Sequence, residues 1–168
     1  MDFFDVVEKR QSVRKYAAKP VEQEKLDTIL AATNRAPSDG NYQSYELYVI
    51  RGDEKRGELA AATFDQGFIA QAPVALVFCS NPSRCQYTPA EIYALEDATI
   101  ACTFAMLAAT ALGLSSCWIG AFDPRSVARV IHCPPEVVPI SILPIAYADE
   151  TPELTTRRAM SDLVHVVE

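Results

Sequence analysis

The spacing of apolar residues changes several times along this chain, and each change marks a predicted element. Residues 2 to 10 read as a helix, with Phe3, Phe4, Val6 and Val7 near one side. From Glu22 to about Arg35, Leu26, Ile29 and Leu30 recur at helical spacing, with the small Thr33 next on that face. Leu47-Tyr48-Val49-Ile50 reads as a strand, and Gly52-Asp53 opens a helix running toward Thr63. Pro73 to Cys79 is apolar without alternation, the pattern of a strand buried on both faces. Between these lie a loop rich in turn formers, Ala36-Pro37-Ser38-Asp39-Gly40-Asn41, and a polar loop from Asn81 to Pro89.

The longest apolar stretch, Ala98 to Phe122, contains no charged residue and is long enough to span a bilayer. Its second half carries Gly113, Ser115, Ser116 and Gly120, and no basic cluster flanks it closely. The reading is a buried helix from about Ala90 to Leu112, closed by Gly113, with no membrane partner. Cys117-Trp118-Ile119 follows as a short extended piece, and Asp123-Pro124 caps a helix through Ile131. Val137 to Tyr147 is a further strand, which Pro139 and Pro144 push toward irregular or edge pairing. The tail beyond Thr151 is polar and extended, ending in a short apolar strand, Leu163 to Val167. Residues 150–168 form an arm that can dock on its own sheet or on another subunit.

Composition narrows the class. A chain of 168 residues with 49% hydrophobic and 22% charged residues fits one globular domain, residues 1–168. A net charge of -7 argues against nucleic acid as a partner. Five cysteines without a Cys-x-x-Cys pair, and only two histidines, give no metal site. The start, Met1-Asp2-Phe3-Phe4-Asp5, lacks the regions of a signal peptide, so free thiols point to a cytoplasmic protein.

Charge is unevenly placed. Five of the fifteen basic residues, Lys9, Arg10, Arg14, Lys15 and Lys19, fall within eleven positions with no acid among them. A cluster this small suits a single phosphate; a solvated helix end is the plainer alternative. Nucleophilic catalysis has little support, because His132 and Cys133 are adjacent and their side chains diverge. Asp97, just before the uncharged part of the long helix, reads as a buried polar anchor. Neither a Gly-x-Gly-x-x-Gly nor a P-loop occurs.

Three segments stand out together: Arg10-Gln11-Ser12-Val13-Arg14, Ala36 to Gln43, and Gly113 to Gly120. They offer guanidinium forks and a hydroxyl, amide and hydroxyl side chains on a tight loop, and an apolar turn with backbone donors. These are the groups that a flavin mononucleotide asks for. In this order, with the Pro73-Val74 strand, Asp97 to Ala101 and Pro134-Pro135-Glu136, they resemble the nitroreductase family of FMN-dependent oxidoreductases.

The resemblance implies an α+β fold: a central, mostly antiparallel sheet covered by helices, with the C-terminal arm on the partner subunit. It implies a homodimer with FMN at the subunit interface. Arg10 and Ser12 would contact the phosphate and ribityl chain, Gln11 would also bind the cofactor, and Arg14 would reach the pyrimidine side of the ring. Pro37, Ser38, Asn41 and Gln43 would come from the partner subunit. The family often follows that Gln with Pro-Trp, where this chain has Ser44-Tyr45. Trp118, Ile119 and Gly120 would set backbone groups near N5, and either Arg157 or Arg158 would bind phosphate. Lys9, Lys15 and Lys19 keep the reading of solvated charges. The implied activity is ping-pong hydride transfer from NADH or NADPH, through the flavin, to a nitroaromatic, quinone or similar small acceptor. The alternatives are a dehalogenase or flavin-fragmenting enzyme of the same fold, and a non-catalytic flavin-binding protein.

Overall fold

Buried side chains alternate along the strands between two faces, and that alternation builds the layers. The computed structural model describes residues 1–64 and 66–167; Asp65, and Glu168 at the end of the expected arm, lie outside the described residues. Four antiparallel strands run in the order β1 (Tyr45–Ile50), β2 (Val74–Ser80), β4 (Val138–Ala146) and β3 (Ser115–Ser116). The helices are α1 (Phe3–Lys9), α2 (Gln23–Thr33), α3 (Asp53–Ala61), α4 (Phe68–Gln71), α5 (Ala90–Ala111), α6 (Pro124–Ile131) and α7 (Met160–Leu163).

Val74, Leu76 and Phe78 of β2 share a core with Leu26 and Ile29 of α2 and with the small-residue face of α5. Ala75, Val77 and Cys79 share a second core with Leu59 of α3, Ile69 of α4 and Val127 of α6. Every residue of β2 is buried, so the strand gains nothing from a polar face and reads as one apolar run. The fold is α+β with helices on both faces of the sheet, as expected. Ala94, Ala98, Ala101, Ala105 and Ala109 of α5 are fully buried, and side chains this small let the helix lie close on β2 and β4. This helix is long and apolar enough to cross a membrane by length and composition, but here that alanine face is spent on the sheet.

The end of α5 is fixed by backbone chemistry. Gly113 takes φ 73°. Its N–H donates to the Thr110 carbonyl at 3.0 Å, and that of Leu114 to Ala109 at 2.9 Å. This is the Schellman pairing, with Leu114 returned to the core. Likewise the Asp123 carboxylate accepts the N–H groups of Arg125 and Ser126 and starts α6, as its position before Pro124 predicts.

Two expectations need correction. Of the two outcomes expected for Val138–Ala146, irregular pairing holds, while edge placement does not, because β4 lies between β2 and β3. Pro139 fits because it lies beside a register shift against β2. Pro144 fits because its missing donor falls where the neighbouring strand breaks. Ser115 and Ser116 pair with Ala146 and Ile145, and Ile119 pairs with Ile142 in the same register. That sets Cys117 opposite Pro144, at a position where an N–H would close the ladder. The ladder therefore lapses after Ser116 and resumes for one bridge at Ile119. Second, Leu163 to Val167 is not a strand: α7 takes one turn through Leu163, and Val164 to Val167 continue exposed. The helix expected over residues 2 to 10 is present as α1, with Val6 buried and Phe3, Phe4 and Val7 facing outward.

A Cβ at Gly113 would meet nothing within 4 Å, so only the left-handed backbone opposes a side chain there. Gly113→Ala is expected to destabilise the protein by about 1 kcal/mol, read as a lower urea midpoint at unchanged m-value.

Candidate functional site

The basic segment is held in place by its backbone, which leaves its side chains available. Arg10 ends α1, its N–H donating to the Val6 carbonyl at 3.0 Å. Beyond it the chain runs extended between two neighbours. Ser12 bridges Ser116 in parallel, and the Val13 N–H donates to the Ser116 carbonyl at 3.0 Å. Ala17 donates to Tyr147 at 2.9 Å, and Asp149 donates back to Lys15 at 2.9 Å. Val13 and Tyr16 point inward and are buried. On either side of Val13, Ser12 is half-buried and Arg14 exposed.

Glu150 completes the anchorage. One carboxylate oxygen accepts the backbone N–H groups of both Arg14 and Lys15. This acid therefore binds the main chain and leaves the Arg14 guanidinium free.

Arg10, Gln11, Ser12 and Arg14 line a cavity of about 310 Å³, closed on its far side by Pro152, Glu153, Thr155 and Arg157 of the C-terminal segment. Of the two candidate arginines of the tail, Arg157 lines this cavity and Arg158 does not. The Arg157 guanidinium is folded onto its own chain, donating to Thr155 Oγ1 at 2.7 Å and to the carbonyls of Thr155 and Thr156. Among the described residues, Arg10, Arg14 and Arg157 make no ion pair. Three guanidinium groups against the one carboxylate of Glu153 leave this small cavity net positive, which suits a phosphate-sized anion.

The turn after β3 adjoins this segment through Ser116. Ile119 exchanges both backbone bonds with Ile142, at 2.9 and 3.0 Å. The N–H groups of Trp118 and Gly120 are then the ones that can face a ligand. The Trp118 ring packs against the α2/α5 core. A Cβ at Gly120 would meet only Trp118 Nε1, at 3.9 Å, so packing within the chain does not require glycine there. Beneath them Cys117 is buried. Burial pushes its thiol up, while the Arg14 charge and a hydrogen bond with Ser12 pull the other way. Cys102, buried between α5 and the sheet, is pushed up to about 12 by burial.

The loop with Pro37, Ser38, Asn41 and Gln43 is built at the opposite end of α5. Gly40, Asn41 and Gln43 all take positive φ, at 54°, 57° and 51°. The Asp97 carboxylate, fully buried, accepts the Asp39 N–H at 2.8 Å and the Ser44 N–H at 2.9 Å. Gln43 donates from its backbone to Ser38 Oγ and from its side chain to Asn41 Oδ1. The 81–89 segment clamps the outer side. Asn81 N–H donates to the Ser44 carbonyl at 2.8 Å, Arg84 Nε donates to the Gln43 carbonyl at 3.1 Å, and Tyr87 packs edge-on against Tyr42. The same ring pair sits on Gly40, where a Cβ would meet Tyr42 at 2.6 Å and the Tyr87 hydroxyl at 2.9 Å.

Within one chain, then, the first and third segments come together and the second does not. From Asp97 to the end of α5 at Ala111 the helix rises about 20 Å, at roughly 1.5 Å per residue. Glu150, Thr155 and the 81–89 clamp escaped the sequence reading. Asp149-Glu150 does complement Arg14-Lys15 in charge, but that pairing becomes meaningful only when strand β4 returns the chain beside residue 14.

A model of the nitroreductase family matches residues 7–81 and 59–147. The NAD(P)H FMN reductase of Bacillus subtilis is 30% identical over 154 residues, covering 82% of this chain and 62% of that protein. The NADPH-flavin oxidoreductase of Vibrio harveyi is 26% identical over 166 residues, covering 92% of this chain and 69% of that protein. Among solved structures, NfrA2 of B. megaterium superposes with a TM-score of 0.92 at 25% identity, covering 98% of this chain and 74% of that one.

Proposed function

The chain belongs to the nitroreductase family, and we propose that it is an FMN-dependent oxidoreductase moving hydride from NADH or NADPH to a small acceptor, nitroaromatic or quinone in kind. The convergence of Arg10, Ser12, Arg14 and Arg157 on one cavity carries this reading. The donor set fits FMN, whose phosphate and polyol need cations and hydroxyl partners. Arg10, Gln11, Ser12 and Arg157 would hold that end. Arg14 would place a fixed positive charge beside the ring, favouring the redox state with more negative charge. Trp118 and Gly120 would offer N–H groups at the ring edge. When bound, FMN supplies the hydride chemistry. The neutral, buried thiol of Cys117 supplies no nucleophile. A single open cleft serves donor and acceptor in turn, which is a ping-pong order.

The complete site forms between two copies in this reading, because Ser38, Asn41 and Gln43 lie a helix length from the basic cavity of their own chain. Exposed apolar surface supports a homodimer. Ile92, Leu95 and Phe104 of α5 face outward. An apolar groove of about 570 Å³ lies among Phe3, Val6, Phe104, Leu107 and Ala111. The tail exposes Met160, Leu163, Val164, Val166 and Val167, and we assign this arm to the partner.

Purified protein is expected to show bound-flavin absorbance that NADH or NADPH bleaches without oxygen and a quinone restores. An absorbance that neither donor bleaches overturns the reading. Steady-state rates with both substrates varied should give parallel double-reciprocal lines. Arg10→Ala and Arg157→Ala should each weaken FMN binding about tenfold or more, as loss of a charge-assisted phosphate contact requires, whereas Arg158→Ala stays near wild type; calorimetric titration of the apoprotein reads all three. A chain ending at Ala159 keeps Glu150 and Arg157 but loses the apolar arm. It should dissociate to monomers at higher concentration than the full chain in sedimentation runs.

A further inference from the structure

The Asp97 carboxylate poses a question that the fold alone does not answer. It is fully buried, and among the described residues no Lys, Arg or His lies within ion-pairing distance of it. Burying an unpaired carboxylate is costly, and an apolar or neutral residue in a helix face of alanines avoids that cost. What the charge obtains in return is two charge-assisted hydrogen bonds from main-chain N–H groups, at Asp39 and Ser44.

Those two amides bracket the loop at both ends. Between them lie three residues with positive φ, two of them not glycine, a combination that needs outside support to persist. The side chains so presented are Asn41 and Gln43, joined to each other at 3.2 Å, and Ser38, whose hydroxyl accepts from Gln43 at 3.1 Å. An asparagine at 97 could not replace the acid, since its amide has one accepting oxygen and would turn an N–H₂ toward the second donor.

We propose that Asp97 is a positioning residue of the cofactor site: by accepting both loop amides it fixes the left-handed turns that aim Ser38, Asn41 and Gln43 at FMN held by the partner copy. This rests on the functional reading above. The role is narrower than fold stability, because the loop contributes none of the buried core residues after Ala36 and before β1.

The test is Asp97→Asn in the full-length protein, with two readouts. Backbone amide exchange should speed up about tenfold or more at Asp39 and Ser44, with the β2 amides unchanged. The FMN dissociation constant should rise about tenfold, while kcat at saturating FMN stays within about twofold. Ser44→Ala serves as the neutral control, since its buried hydroxyl has no partner. Should Asp97→Asn fail to fold, Asp39→Pro removes one donor at the first position of a helical turn, after an extended Ser38, where proline is accommodated. It should weaken FMN binding, whereas Asp39→Ala should not. Exchange rates that stay unchanged in Asp97→Asn overturn the inference, as does faster exchange with undiminished FMN affinity. Wild-type protein that takes up no FMN overturns the functional reading itself, and that result is seen before any substitution is made.

Discussion

The candidate site depends on one piece of main-chain pairing, the extended run from Ser12 to Ala17 wedged between Ser116 and Tyr147. Three backbone bonds and the double contact to Glu150 hold it. Residues 10 to 17 have only Val13 and Tyr16 to bury, so apolar burial alone would not settle their register. The pairing then leaves Val13 and Tyr16, three positions apart, buried, and Ser12 and Arg14 on the cavity. The same pairing sets the turn at Trp118 beside the basic segment, because Ser116 serves β4 on one side and Val13 on the other. A slip of one residue would carry Arg14 into the buried position of Val13.

Helix α5 is the spacer of the molecule. Its alanine face lets it lie against both inner strands, and its length separates the Asp97-held loop from the Gly113 turn. The Asp97 carboxylate ties the 39–44 loop to the first third of the helix, and a Schellman turn closes its C-terminal end. A rigid spacer with half of a site at each end is well suited to a two-fold pair of chains. In the proposed dimer each copy would meet the complementary half on its partner, a self-complementary arrangement. The outward Ile92, Leu95 and Phe104 on the same helix give such a pair a place to meet.

Much of this was legible in the residues because local chemistry and tertiary structure agree. The β2 run, the α5 limits, the Gly113 stop and the Asp123-Pro124 start all follow from rules that act within a few positions. The β4 assignment failed in one respect for an instructive reason. Two prolines normally exclude a strand from the interior, yet each lies where its missing N–H is not needed: one beside a register shift, one opposite the break at Cys117. That compensation sits on another strand, out of reach of any local rule. The cavity wall of Pro152, Thr155 and Arg157 was likewise hidden, since the choice between Arg157 and Arg158 turns on how the segment after β4 folds back. The Asp97 anchor could be read as a buried polar residue, but its two partners lie more than fifty positions away.

The distribution of charge around residues 9 to 19 separates the arginines from the lysines. Lys9 lies 4.0 Å from Asp5, Lys15 lies 2.9 Å from Asp149, and Lys19 sits over the Tyr147 ring at 3.6 Å from its centroid. Each lysine is satisfied locally and serves the surface. Arg10 and Arg14 have no such partner among the described residues, although the chain carries a net charge of -7 and acids lie close by. Glu150 is the decisive case. Placed beside Arg14, it takes the main-chain N–H rather than the guanidinium, so it orders the segment without cancelling its charge. An acid used in this way keeps a local positive field inside an acidic protein, and that field is what an anionic cofactor would be drawn to.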